Sequence, residues 1–289
     1  MNGFPGNCLC AGGRFAVVCL LPFYLVLWDL YLKRVRFSQK VTVFSLTAKN
    51  FSLEAYKMAF KSPDTLVQAY GITIFVTVVG TITAVLLSAM TGYVLARPDF
   101  PWRNKISFFF FFTTLFSGGL VPWYLMCSKF FKFNNHIYSL ILPCLFSVWN
   151  MIIAKSFMKG IPFELTEAAK VDGAGDFRIF WKIILPAAKP LIATIGLFTA
   201  LTYWNDWYNC MLFINDSSKW NLQYTLQNIL NSSEALNRMA SQTGMKVASL
   251  PAESMKMAMT VVAIGPIILL YPFLQKYFVK GMTVGSVKG

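Results

Sequence analysis

A chain of 289 residues that is 56% hydrophobic and only 13% charged has too few charges to cover a soluble surface of its size, so its excess apolar area faces lipid. The formal net charge of +14 does not point to nucleic acid, because the basic residues are scattered between apolar runs and form no continuous patch; cytoplasmic Lys and Arg of a membrane protein account for much of it. Crossing a hydrocarbon core takes about 20 apolar residues. Six runs qualify, at 15–32, 70–96, 106–127, 137–157, 191–214 and 257–279, and they are too long for barrel strands.

The first run starts near the N-terminus, as a signal peptide would. It is followed by Lys33-Arg34-Val35-Arg36 and not by a small-residue cleavage site, so it is expected to remain as an uncleaved helix. With the segment after it, it makes a region 1–65, ahead of a core at 66–280 and a tail at 281–289. Cys8 and Cys10 have no second pair and no histidine near them, so a zinc site is not expected. The second run, Tyr70 to Ala96, carries Gly71, Gly80, Ser88, Ala89 and Gly92; small residues let helices approach closely, and this span is expected to be buried in a bundle. The third contains Phe108 to Phe112 and then Ser117-Gly118-Gly119-Leu120-Val121-Pro122, where the helix can loosen. A kink there fits a pathway lining and a plain packing bend equally well. His136, the single histidine, lies at the mouth of a span and reads as a surface residue and not a proton relay.

Between the fourth and fifth runs, Lys155 to Lys189 holds six basic and four acidic residues and is placed in the cytoplasm. With that loop inside, Lys and Arg divide 13 inside to 13 outside, so the total does not fix orientation; leaving out the long outer stretches favours this placement. The dense basic run after the first span departs from it. Beyond the fifth run, Asn215 to Lys256 is polar and reads as an extramembrane loop with a short helix around Glu234 to Ser241.

Residues 161–190 read IPFELTEAAKVDGAGDFRIFWKIILPAAKP. Pro162 suits a first helical turn, Glu164 and Glu167 suit the same N-terminal half, and Gly173 suits a helix end. Asp176 can cap a second helix through Phe177, Phe180, Ile183 and Ile184. The small face of Ala168, Ala169 and Ala174 would let another protein come close, with Phe177, Phe180 and Trp181 as anchors. The plain alternative is an ordinary amphipathic cytoplasmic loop. No GxxxxGK[ST] loop is present, so ATP phosphates have no cradle here and energy must come from a partner.

Glu167-Ala168-Ala169, Asp172-Gly173-Ala174 and Ile184-Leu185-Pro186 resemble the EAA loop of binding-protein-dependent ABC importer permeases. Gln275 to Gly281 with Gly285 and Lys288-Gly289, Leu120-Val121-Pro122, and Tyr203 to Trp207 look like the MalG-type permeases of carbohydrate importers; the resemblance covers roughly residues 50–289. It implies an all-α integral membrane protein with six transmembrane helices of the type I importer permease (MetI-like) fold, in a bacterial cytoplasmic membrane. It further implies a coupling set of Glu167, Ala168, Ala169, Asp172, Gly173, Ala174, Phe177, Leu185 and Pro186. The implied partners are a second homologous permease, two ATP-binding subunits carrying ATP and Mg, and an extracytoplasmic solute-binding protein, with no cofactor or catalytic residue in this chain.

The fifth run holds Tyr203, Trp204, Asn205, Asp206, Trp207, Tyr208 and Asn209. Spacing by four sets Trp204 beside Tyr208 and Asn205 beside Asn209, stacking surfaces next to amides that suit a sugar. An aromatic belt with an interhelical polar contact is an equal alternative, and Asp206 should face a cavity or a cation. The outer segments carry a basic surplus of eight, 13 against five acidic residues, which favours an acidic, uronate-containing oligosaccharide such as alginate. A secondary transporter or channel would show inverted repeats and paired intramembrane charges. A membrane-embedded enzyme would need converging His, Ser or carboxylates. Neither pattern is seen.

Overall fold

The computed structural model describes residues 63–243 and 260–264. The expected first span, the basic run after it, most of the sixth span and the tail at 281–289 lie outside the described residues. The described residues fall into two compact units, one of 67–225 and one that contributes 63–66, 226–243 and 260–264. All regular structure among them is helical.

Helix α1, Pro63–Ala96, has 34 residues and, among the described residues, is the one helix long and apolar enough to cross a membrane unaided. In its first half Ile74, Phe75, Val78 and Ile82 share an exposed face with Val76 buried opposite, and farther along Ala84, Ser88 and Ala89 are buried while Leu87, Met90 and Val94 are exposed. Lipid on one face and protein on the other is what a small-residue span in a bundle requires. A Cβ built on Gly80 would lie 2.5 Å from the Tyr203 ring, and one on Gly92 would lie 2.5 Å from the Ala154 Cβ. These two glycines therefore set how closely α1 is approached. Gly71, by contrast, is exposed and opens on empty space, so it takes no part in this packing.

Helix α2, Arg103–Leu115, ends before Gly119, whose φ of 86° is open only to glycine at little cost. Helix α3, Leu120–Leu125, then leaves at 113° to α2 and runs on into a π-helical turn, Met126–Phe130. The expected loosening at 117–122 is thus a complete break, with Pro122 in the first turn of the new helix. Helix α4, Tyr138–Ile141, with the 3-10 turn Leu142–Cys144, meets α5, Val148–Met158, at 51°. The Ser147 side chain caps α5 by accepting from the Asn150 N–H at 3.4 Å.

Helices α6, Glu164–Val171, and α7, Asp176–Ile179, form a corner; α7 continues through a π-helical turn, Phe180–Ile184, into α8, Leu185–Ala187. A bend of 82° separates this arm from α9, Lys189–Trp204. Helix α10, Tyr208–Phe213, follows, then α11, Leu222–Thr243. The fifth span is therefore interrupted at 205–207, and the short helix expected around 234–241 belongs to a helix that starts at Leu222. In the second unit, Ser232 Oγ donates to the Asn228 carbonyl at 2.8 Å, a bond along the helix itself.

One buried cluster joins the inner half of α1 (Val85, Ala89, Tyr93) to α5, to the α6–α8 arm (Ala169, Ile179, Phe180, Ile184) and to α9 (Leu191, Ile195). A second gathers Val76, Ala84, Leu140, Tyr203 and Cys210. Between them, Asn150 Nδ2 donates to Thr199 Oγ1 at 3.1 Å across α5 and α9.

Candidate coupling segment and the broken fifth span

The α6–α7 corner is closed by backbone geometry. Gly173 has φ +78°, its N–H bonds the Lys170 carbonyl at 2.9 Å, and the Ala174 N–H bonds the Ala169 carbonyl at 2.9 Å. That is the paired-bond helix stop in which a left-handed glycine satisfies the last carbonyls. A turn so defined holds its outward residues in fixed places. Glu167, Ala168, Asp172, Gly173 and Pro186 are exposed, as is Phe177 at 69%. Val171 is 88% exposed, giving the corner an apolar tip that the sequence reading did not single out.

Three expectations for this segment need correction. Ala169 is buried and Ala174 and Leu185 are half-buried in the chain's own core, so the outward small face reduces to Ala168. Phe180 is 3% exposed and lies on Tyr93 with ring centroids 5.6 Å apart; it anchors the segment to α1 and is unavailable to a partner. Asp176 is the first residue of α7, and its carboxylate makes no cap.

Asp176 instead accepts from Arg97 Nη1 at 2.7 Å. The Arg97 guanidinium also grips Asp99 through Nε and Nη2, at 2.9 and 2.6 Å, and sits 5.6 Å from the Tyr93 ring. Lys170 Nζ reaches Asp99 at 3.1 Å. The Arg97 guanidinium holds the Asp99 carboxyl well below the usual carboxylate range, and Asp99 in turn raises Arg97. Beside these charges lies a cleft of about 380 Å³ walled by Met90, Val94, Phe100 and Phe177. Arg97 and Asp99 escaped the sequence reading because their ties to the corner, Arg97 to Asp176 and Asp99 to Lys170, span 79 and 71 residues. The available signal was an Asp at 176 with nothing local to cap.

The fifth-span residues are divided by the break. Tyr203 and Trp204 are buried, the former with its hydroxyl donating to the Ile141 carbonyl at 2.8 Å. Asn205, Trp207 and Tyr208 are exposed. Because α9 stops at Trp204 and α10 starts at Tyr208, spacing by four does not apply: Trp204 lies near Tyr70 and Trp207 lies edge-on to Tyr208. Asp206 caps α10, accepting from the Asn209 N–H at 3.1 Å and from Asn209 Nδ2 at 3.0 Å, and Asn221 Nδ2 donates to the Asp206 carbonyl. Its partners are amide groups, and no cation touches it among the described residues.

One long apolar helix and three bent apolar pairs among the described residues, with an exposed helical corner between two of them, are the build of a polytopic helical membrane protein. The chain belongs to the family of binding-protein-dependent transport system inner membrane components, whose model matches residues 84–284. It is 40% identical over 275 residues, 95% of this chain and 94% of the relative, to the polygalacturonan/rhamnogalacturonan transport system permease protein YtcP of Bacillus subtilis (strain 168). It is 39% identical over 285 residues, 98% and 94%, to protein LplC of the same organism. The fold matches a chain of a bacterial ABC transporter that imports the acidic polysaccharide alginate, with a TM-score of 0.78 at 24% identity, covering 96% of this chain and all of that one.

Proposed function

We propose that this chain is the permease subunit of an ABC importer that carries oligosaccharides across a bacterial cytoplasmic membrane. A second homologous permease completes the pathway, an extracytoplasmic binding protein delivers the sugar, and two partner subunits bind ATP and Mg and hydrolyse the nucleotide. The observation that carries the reading is the corner at Glu167 to Gly173: exposed, closed by a left-handed glycine, and backed by the core through Ala169, Ile179 and Phe180. A rigid projection with an apolar tip is what a docking element needs.

Gly173→Asp tests it in vesicles holding the full assembly. The substitution adds charge at the tip and imposes a left-handed φ on a residue with a side chain, a cost of about 1 kcal/mol or more. A Cβ there meets nothing within 4 Å, so Gly173→Ala carries the backbone strain without the charge. Loss of ATPase assembly or coupled uptake in Gly173→Asp at normal expression, with Gly173→Ala retained, supports docking. Unchanged ATP-dependent uptake puts the coupling site elsewhere, and uptake without ATPase revives a secondary transporter.

For the cargo, the basic surplus of the outer segments favours an acidic sugar, and polygalacturonan, named for the 40% identical relative, is itself a polyuronate. The exposed Asn205, Trp207 and Tyr208 at the break are the groups available to it. Uptake of an oligogalacturonate should exceed that of a neutral oligosaccharide of equal length and should fall with added salt. Equal uptake and equal salt response would remove the acidic specificity.

A further inference from the structure

Besides the apolar contact of Phe180 with Tyr93, two routes lead from the corner to the membrane helices. One is the chain itself, from α8 into α9, but it passes the 82° bend at Ala188, a joint where backbone rotation can absorb displacement. The other is lateral. Arg97, one residue past the end of α1, is only 14% exposed in its side chain, and it is held on three sides, by Asp99, by Asp176 of α7 and by the Tyr93 ring. Asp99 is shared with Lys170 of α6, so both helices of the corner are tied to the same turn. Arg103 Nη1 donates to the Arg97 carbonyl at 3.2 Å, which brings in the start of α2. Arg97 and Lys170 face two carboxylates, Asp99 and Asp176, and Arg103 adds a third positive charge at the Arg97 carbonyl.

We propose that Arg97, with Asp99 and Asp176, is the polar linkage that, beside the Phe180–Tyr93 contact, fastens the coupling corner to the end of α1, so that motion imposed on the corner reaches α1 as a rigid displacement. This rests on the docking role given above to residues 161–190. Isolated exposed ion pairs contribute little, but bidentate Arg–carboxylate geometry within a network is the exception. The linkage is therefore ranked: Arg97 dominates, and the Lys170–Asp99 pair, with side chains 40% and 38% exposed, adds little. Arg97 is a positioning residue that acts through the corner.

The test uses the complete reconstituted transporter and reads two quantities: co-purification of the ATPase subunits, and the ratio of ATPase rates with and without sugar-loaded binding protein. Arg97→Gln should keep the ATPase subunits bound yet lower that ratio about fivefold or more, the range of ordinary site–site coupling. Asp176→Asn should lower it less, and the double variant no further than Arg97→Gln alone, since Asp176 acts only through Arg97. Lys170→Gln should stay within about twofold. An unchanged ratio in Arg97→Gln, or a double variant whose loss is the product of the single losses, overturns the linkage. Where Arg97→Gln fails to assemble, Asp176→Asn decides: a retained ratio overturns the proposal and a reduced one supports it. Failure of the docking reading looks different, because Gly173→Asp would then leave co-purification and coupled uptake intact.

Discussion

Glycine serves α1 in two ways that single substitutions separate. At Gly92 an added methyl meets the Ala154 Cβ at 2.5 Å and α5 backbone atoms at 3.0 Å, and backbone cannot step aside. At Gly80 it meets the Tyr203 ring at 2.5 to 2.8 Å, a side chain fastened by its bond to the Ile141 carbonyl. Gly92→Ala should cost about 1–3 kcal/mol, as overpacking does, and lower the melting temperature in detergent. Tyr203→Phe, which removes the bond to the half-buried Ile141 carbonyl, should cost about 1 kcal/mol. Gly80→Ala should cost less in the Tyr203→Leu background than in wild type, because the obstructing ring is gone; equal cost would mean the ring is not the obstacle.

Asp99 gives a residue-scale prediction in pH. Its folded pKa lies below the ordinary 3.8, so its contribution is fully present above about pH 4 and disappears as pH falls through the lowered value. The stability difference between wild type and Asp99→Asn should be flat from about pH 6 to 8 and shrink toward about pH 3. Added salt should narrow it at every pH, because the Asp99 side chain is 38% exposed and open to screening.

At the scale of elements, the breaks separate what was legible from what was not. Span two was read as one unbroken helix with its end at Ala96, because one continuous apolar run with small residues has one reading; its start, expected at Tyr70, lies at Pro63. The third was read as kinked at 117–122 where it breaks, and the fifth as a single helix, since a hydropathy window averages across Asn205-Asp206-Trp207. The Asp206 cap could have been read as such, because an Asp three residues before Asn209 at the start of an apolar turn is a helix-start signal; its place inside a hydrophobic run drew attention to buried charge instead. As a cap, Asp206→Asn should preserve expression and uptake, while Asp206→Ala should lose about 1 kcal/mol of stability. If Asp206→Asn abolishes uptake at normal stability, the carboxylate touches the cargo or its path.

For the molecule as a whole, the helix stop at Gly173 in the candidate coupling segment was placed correctly from its own letters, because its signals are local. The inward side of that segment was not legible, since whether Ala169 or Phe180 faces a partner or α1 depends on Tyr93 and Arg97, far off in sequence. The long-range ion pairs share this cause: no periodicity relates Arg97 to Asp176.

The unequal lengths of the spans also order the biogenesis of the chain. Helix α1 can leave the translocon for lipid on its own, since its backbone is satisfied from Pro63 to Ala96. The bent pairs depend on other parts of the protein, because polar groups at their breaks, such as the Asp206 carbonyl held by Asn221, find partners outside their own helix. The two glycines that admit Tyr203 and the α5 backbone thus make α1 a template, the surface on which later and shorter segments must settle during synthesis before they can be released into the bilayer.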